Sequence, residues 1–242
     1  MPALCECLRS SPRNGPAMLS VFGHVPPPVE ILQSDLPWYQ RFCSCRRHRE
    51  NGSLLNEALA KPLVSASGTL DRIKTIKYIE RYPSVMGDAR NLRACLENLG
   101  NAVDADSPEV VIASADAIAS LLEKHGSKMT APMIDSVLKT AFEQLMAVRI
   151  KVRNRFIDVI VLLLKQHPSH ASSHLLYLVQ RCDVIQTVCA MEALCRVIRT
   201  RYYLKLLPLK CIFHFFSVNA DSKDPSVRSY ATKGITLMDF YF

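Results

Sequence analysis

The sequence predicts an all-α protein, an α-α superhelix (solenoid) of four to five stacked helix pairs. Three observations carry that prediction. From about residue 53 onward, apolar residues recur at the offsets that stack on one face of a helix. Only 8 glycines are present, and Leu, Ala, Val and Ile dominate the second half of the chain. Finally, a loosely similar twelve-residue pattern returns at intervals near forty residues, the period of helix pairs laid side by side.

A chain of 242 residues with 49% hydrophobic and 21% charged content is long and apolar enough to bury a sizeable core. Its 30 Lys and Arg against 22 Asp and Glu leave a net charge of +8, which favours an acidic partner without singling out nucleic acid. Nine cysteines are an odd number, and Cys95, Cys182, Cys189, Cys195 and Cys211 fall within apolar helical pattern, where a free thiol behaves as a small hydrophobe. That usage predicts a reducing compartment and a cytoplasmic location. The first thirty residues lack the flanked apolar stretch of a secretion signal. The longest apolar run, Phe156 to Leu164, contains Asp158 and is too short to span a bilayer.

Residues 1–52 combine SSPRNG, the Pro26 to Pro28 run and CSCRRHRENG, a composition that cannot bury enough apolar surface to offset the entropy of ordering. They are expected to form a mostly disordered arm. Residues 53–242 are expected to form the repeat domain, its C-terminal edge either continued by further repeats in a longer parent chain or covered by a partner or a second copy. A faint first pair occupies 53–65 and 68–82, and a second helix spans 88–102. Over 107–125, Ser107 is placed to cap, Pro108 suits the first turn, and Gly126 ends the helix. Residues 130–147 put Met133, Ile134, Val137, Leu138, Ala141, Phe142, Leu145 and Met146 on one face behind a Thr130 cap. Helices at 171–181 and 206–218 precede the third and fourth returns of the pattern.

Those returns are SPEVVIASADAI (107–118), RIKVRNRFIDVI (149–160), DVIQTVCAMEAL (183–194) and DPSVRSYATKGI (224–235). A capping residue, a proline in two of the copies, a Val-Arg pair in two, and a small residue followed by a closing aliphatic recur at matching offsets. This pattern resembles HEAT and armadillo-like repeats over roughly residues 68–242. The resemblance implies that the arginine of the Val-Arg pair bonds an aspartate of a neighbouring unit, which makes Arg153 and Arg228 structural. Val111 and Thr187 hold that position in the other two copies, so the implied ladder is interrupted.

The polar candidates divide into arms, histidines and cations. Cys5, Cys7, Cys43, Cys45 and His48 are spaced more tightly than structural zinc sites use, and His170 and His174, one turn apart, lack a nearby carboxylate or thiol in sequence. No metal or other cofactor is predicted. No nucleotide-binding glycine loop or hydrolase motif occurs, so a non-enzymatic role is expected. The basic run VRIKVRNR (148–155) is predicted to place Arg149, Lys151 and Arg155 along one rim of the solenoid, beside Lys223 in the 219–224 turn, as the partner-binding residues. Cations at a helix start oppose its dipole, so either an acidic partner or an acid from the adjacent repeat is expected there. RTRYYLK (199–205) is the one basic stretch with interleaved aromatics; Tyr202 and Tyr203 are read as finishing a packed helix end, and nucleic acid is not predicted.

The expected function is a protein-protein interaction scaffold. Tubulin-binding TOG domains are HEAT arrays of similar length that use loops on one rim, with a tryptophan in the first loop and basic residues in later ones. The chain looks similar, and tubulin is the partner that resemblance implies. Trp38 precedes the recognisable repeats, however, and the 103–107 turn is acidic. A transport or coat adaptor gripping a linear peptide along the concave face is the remaining alternative. The apolar ending ITLMDFYF also predicts self-association through the C-terminal edge.

Overall fold

The computed structural model describes residues 69–86, 88–103 and 107–239. Among them run nine α-helices: α1 (Thr69–Arg81), α2 (Ala89–Ala102), α3 (Pro108–His125), α4 (Ala131–Glu143), α5 (Ile150–Gln166), α6 (Pro168–Leu178), α7 (Val184–Arg199), α8 (Leu209–Asn219) and α9 (Pro225–Asp239). The faint helix expected at 53–65 and the arm over 1–52 lie outside the described residues, as do Trp38 and the first four cysteines.

The helices form two layers. In one, α1, α3, α5, α7 and α9 lie side by side in chain order; in the other, α2, α4 and α6 follow one another, and α8 covers α9. Each unit is therefore a helix, a turn and a second helix, with every second helix also packed on its neighbours in adjacent units. The four copies of the twelve-residue pattern open α3, α5, α7 and α9. They recur because each of these helices must present an apolar stripe to both flanking helices and to its own partner.

Burial follows that geometry. In α7 the side chains of Cys189, Ala190, Met191, Ala193, Leu194, Cys195, Val197 and Ile198 are all buried, more than one face of an amphipathic helix would supply. Phe156 of α5 and Phe216 of α8 are among the largest fully buried side chains. Of the residues expected on the inward face over 130–147, the structure leaves Met146 exposed.

Local chemistry sets the boundaries. Pro108, Pro132, Pro168 and Pro225 each sit in a first helical turn, where a missing N–H costs nothing. Pro168 starts α6 three residues earlier than the sequence suggested, and only His167 separates α5 from α6. That residue ends one helix through its N–H to Leu163 O (2.8 Å) and begins the next by accepting Ala171 N–H (2.9 Å).

Three expected cap roles are revised, the first being Thr130, which holds the N-cap position of α4 without a side-chain hydrogen bond to the helix. Gly126 follows α3 as predicted, but it is right-handed (φ −52°), so no left-handed cap requires glycine there. It is needed for space: a Cβ would lie 1.5 Å from Gln166 Oε1, in the volume that the Gln166 amide occupies as it donates to Leu122 O (2.7 Å). Ser107 occupies the cap position, yet its hydroxyl donates to Glu109 (2.9 Å) instead of accepting from the helix. Asp224 does cap α9, accepting from the N–H groups of Ser226 (2.8 Å) and Val227 (3.1 Å).

The C-terminal helix bears on the expected apolar edge only in part, because Phe240, Tyr241 and Phe242 lie outside the described residues. Val227, Ala231, Gly234 and Met238 of α9 face inward, while Arg228, Ser229, Thr232 and Thr236 are exposed. The outward side of α9 is thus polar, and over the described residues it lacks the apolar edge invoked for self-association.

Gly234 is the tightest approach in this last unit: a Cβ there would meet the fully buried Phe216 ring at 2.4 Å. Although alanine is favoured over glycine in a helix by about 1 kcal/mol, Gly234→Ala is expected to destabilise by about 1–3 kcal/mol through overpacking. Urea unfolding checks this, and adding Phe216→Leu should recover part of the loss.

Candidate functional site

The turns that join the two helices of each unit all emerge along one edge. They lie at the facing ends of α2 and α3, at residues 144–149, at residues 179–183 and at residues 220–224. The turn between α4 and α5 is the most prominent. Leu145 anchors it in the core, and the chain then throws Val148 (95% exposed) and Ile150 (65% exposed) into solvent on either side of Arg149. In the next unit, Val184 and Ile185 at the start of α7 are also exposed. Apolar side chains at such positions add nothing to folding, and in sequence they are indistinguishable from core residues.

Each predicted cation has a defined place. Arg149 holds the N-cap position of α5, and its guanidinium stands 3.9 Å from Glu109 of α3, both side chains about two-thirds exposed. An acid from the adjacent unit thus supplies part of the relief that a cation at a helix start requires. The Glu109 carboxyl is held below its ordinary range by its own helix-start N–H, by the Ser107 hydroxyl and by Arg149. Lys151 is exposed, with no ion pair among the described residues. Lys223 is exposed in the last turn on the same edge, with α7 intervening between α5 and α9, while its carbonyl accepts from Arg228. Arg155 lies further along α5, turned toward the layer of second helices, where it pairs with Asp116 of α3 (3.3 Å) and approaches Asp158 (4.0 Å).

Arg155 therefore belongs to an inter-unit ladder, though not the ladder implied by the Val-Arg pairs. Arg228 bonds the carbonyls of Ser222 (2.7 Å) and Lys223 (2.8 Å) in its own turn. The connections between units are instead Arg155 to Asp116, Arg196 to Asp158 (2.8 Å), and Tyr230 to Glu192 (3.4 Å), with Arg196 also donating to Glu192 (3.1 Å) and Lys233 over the Tyr230 ring. The acids Asp116, Asp158 and Glu192 occupy the tenth position of the first three copies, and Lys233 that of the fourth. That alignment was the available signal.

The opposite edge is tied through backbone carbonyls. His125 donates to Pro83 O (2.8 Å), Gln166 to Leu122 O, and His167 to Gly126 O (2.9 Å). His170 and His174 of α6 do find a carboxylate, at Asp135 of α4: both imidazoles approach one oxygen, at 2.8 and 3.0 Å. No set of three His, Cys, Asp or Glu side chains among the described residues converges on a point where an ion would sit, and the trio reads as a tie between the first helices of adjacent units.

Burial pushes the thiols of Cys95, Cys182 and Cys189 up and that of Cys195 to about 11, the opposite of an activated nucleophile. Clefts of about 180 Å³ (between α2 and α4) and 170 Å³ (beside Val148 and Pro108) are smaller than those that enclose small-molecule substrates.

No protein-family model matches the sequence, and no curated protein matches it. Among solved structures, the chain is similar to a TOG domain described for tubulin-binding specificity that promotes microtubule dynamics and mitotic spindle formation, with a TM-score of 0.60, 14% identity, and coverage of 79% of this chain and 78% of that one. Looser likenesses are to an engineered protein (TM-score 0.43, 12% identity, 88% and 95% covered) and to a designed armadillo repeat protein in complex with the peptide (KR)4 (0.41, 14%, 86% and 97%). At such identities what is shared is the fold.

The ladder yields a pH test. Burial raises both the Asp116 and Glu80 carboxyls above their ordinary values, each further raised by a neighbouring acid, and Arg155 lowers both in part. A folded value above the unfolded one means that the folded state holds the proton more tightly, so this contribution to stability declines as pH rises through the folded values. Asp116→Asn is expected to flatten that decline just above the ordinary carboxylate range, as read by urea unfolding at a series of pH values.

Proposed function

From the premise of a HEAT/armadillo-like α-solenoid, we propose that this chain is a non-enzymatic protein-binding scaffold that engages a globular, acidic partner through the edge carrying its intra-unit turns. The observation that supports this reading is the Leu145–Lys151 segment. It displays Val148 almost completely, holds Ile150 beside it, and flanks them with Arg149 and with Lys151, which has no ion pair among the described residues. An exposed apolar centre with a polar, charged surround is the anatomy of a protein interface. Arg181 and Lys223 extend the cationic character along the same edge.

Tubulin is the first candidate, because the chain is similar in fold to a TOG domain described for tubulin-binding specificity. The alternative of a linear peptide along the second-helix layer finds less support, since Arg155, Asp158, Glu192, Arg196 and Tyr230 are already bonded to one another there. The unpaired cysteines among the described residues, three of them buried, fit a cytoplasmic setting.

Co-sedimentation with assembled tubulin tests the partner. The wild-type chain is expected to pellet, the double variant Arg149→Glu/Lys151→Glu to bind about tenfold more weakly, and Val148→Asp to lose binding with unchanged unfolding behaviour. A chain that stays in the supernatant, or pelleting indifferent to all three substitutions, removes tubulin and this edge from consideration.

A further inference from the structure

The edge opposite the intra-unit turns carries a stronger charge asymmetry than the one the sequence singled out. Residues 193–220 contain no Asp or Glu but five Lys or Arg: Arg196, Arg199, Arg201, Lys205 and Lys210. Arg196 is consumed by the ladder. The other four are exposed, and none has an ion pair or side-chain hydrogen bond among the described residues. Arg199 is favourably placed at the C-terminal end of α7, but Lys210 sits in the first turn of α8, where a cation opposes the helix dipole. Folding does not account for it.

The backbone between α7 and α8 presents a tip at the same place. Arg201 is the one non-glycine residue of positive φ among the described residues (47°), and this left-handed corner directs Tyr202 outward. Tyr203 packs against the core beneath it, edge-on to Tyr202 at 5.0 Å, so only one of the two rings finishes the helix end as expected. Tyr202 is 80% exposed and Leu206, two residues beyond the Tyr203–Leu204 anchor, is 57% exposed. Lys124 and Lys165, at the ends of α3 and α5, continue the cationic row along this edge.

We propose that this edge docks on an anionic membrane surface, with Tyr202 and Leu206 entering the headgroup region and Arg199, Arg201, Lys205 and Lys210 facing lipid phosphates and carboxylates. Charge complementarity calls for a polyanion, and the aliphatic Leu206 decides its kind. A nucleic acid offers an exposed leucine nothing and calls for a series of stacking rings, of which only Tyr202 is free here. A bilayer accepts an aromatic at its interface, an aliphatic chain just below, and a straight row of cations across its plane. No helix among the described residues is long and apolar enough to cross a membrane, so the contact is peripheral.

The full chain is to be mixed with vesicles of phosphatidylcholine alone and of phosphatidylcholine containing phosphatidylserine, then sedimented. Binding is expected only to the latter and to fall steeply with salt. Arg201→Glu/Lys205→Glu should weaken it by about tenfold or more, Tyr202→Ser/Leu206→Ser should weaken it with charge unchanged, and Arg149→Glu/Lys151→Glu should leave it as in wild type, separating this surface from the other edge. All positions are exposed, and matching circular dichroism melts establish that the variants fold. Absence of binding to phosphatidylserine vesicles, binding indifferent to the tip substitutions, or capture of a single-stranded oligonucleotide with vesicles ignored would each overturn the proposal.

Discussion

The structure depends on one constraint: no helix pair in this chain can bury its own apolar surface. Helix α7 buries side chains around most of its circumference, and it can do so only with α5 on one side and α9 on the other. Neighbour stacking is therefore the source of the core. Both edges of the array follow from it, because helices stacked in chain order must place all intra-unit turns on one side and all inter-unit turns on the other.

Polar groups then fix the register of a stack that apolar burial alone would leave free to slide. The three ties His125 to Pro83, Gln166 to Leu122 and His167 to Gly126 hold one edge, and the Asp116, Arg155, Asp158, Arg196, Glu192 chain holds the layer of second helices. Each tie between units joins residues roughly one unit apart in sequence. Individually, half-exposed ion pairs contribute little; their value lies in specifying one alignment among several of similar burial. The same distinction isolates function. Cations within the ladder are explained by folding, whereas Lys151, Arg201, Lys205 and Lys210 lack any such explanation.

Much of the fold was legible in the sequence because capping and periodicity are local. Pro108, Pro132 and Pro225 mark helix starts wherever the chain goes afterwards, and the inward faces of α3 and α4 follow from the spacing of their apolar residues. What escaped was non-local. Gly126 reads as a helix terminator, but its reason for being glycine is Gln166, one unit further along the chain. His170 and His174 lack a carboxylate until stacking brings Asp135 from the preceding unit. The Val-Arg pair drew attention to Arg153 and Arg228, while the bridging arginines lie at other offsets, and the acids at the tenth position, which carry the ladder, were not read as a recurring feature. Surface function was the least legible, since neither Val148 nor Leu206 differs from a core residue until the fold turns it outward.

The most direct test of the claim that consecutive second helices lie side by side in one fixed register is a double-mutant cycle on Asp158 and Arg196, which are thirty-eight residues apart in sequence and 2.8 Å apart in space. Urea unfolding of Asp158→Asn, Arg196→Gln and the pair should return a coupling of about 0.5–1 kcal/mol. Additive effects, with no coupling beyond error, would mean that the two helices do not meet in this alignment, and the ladder and both edges built on it would have to be abandoned.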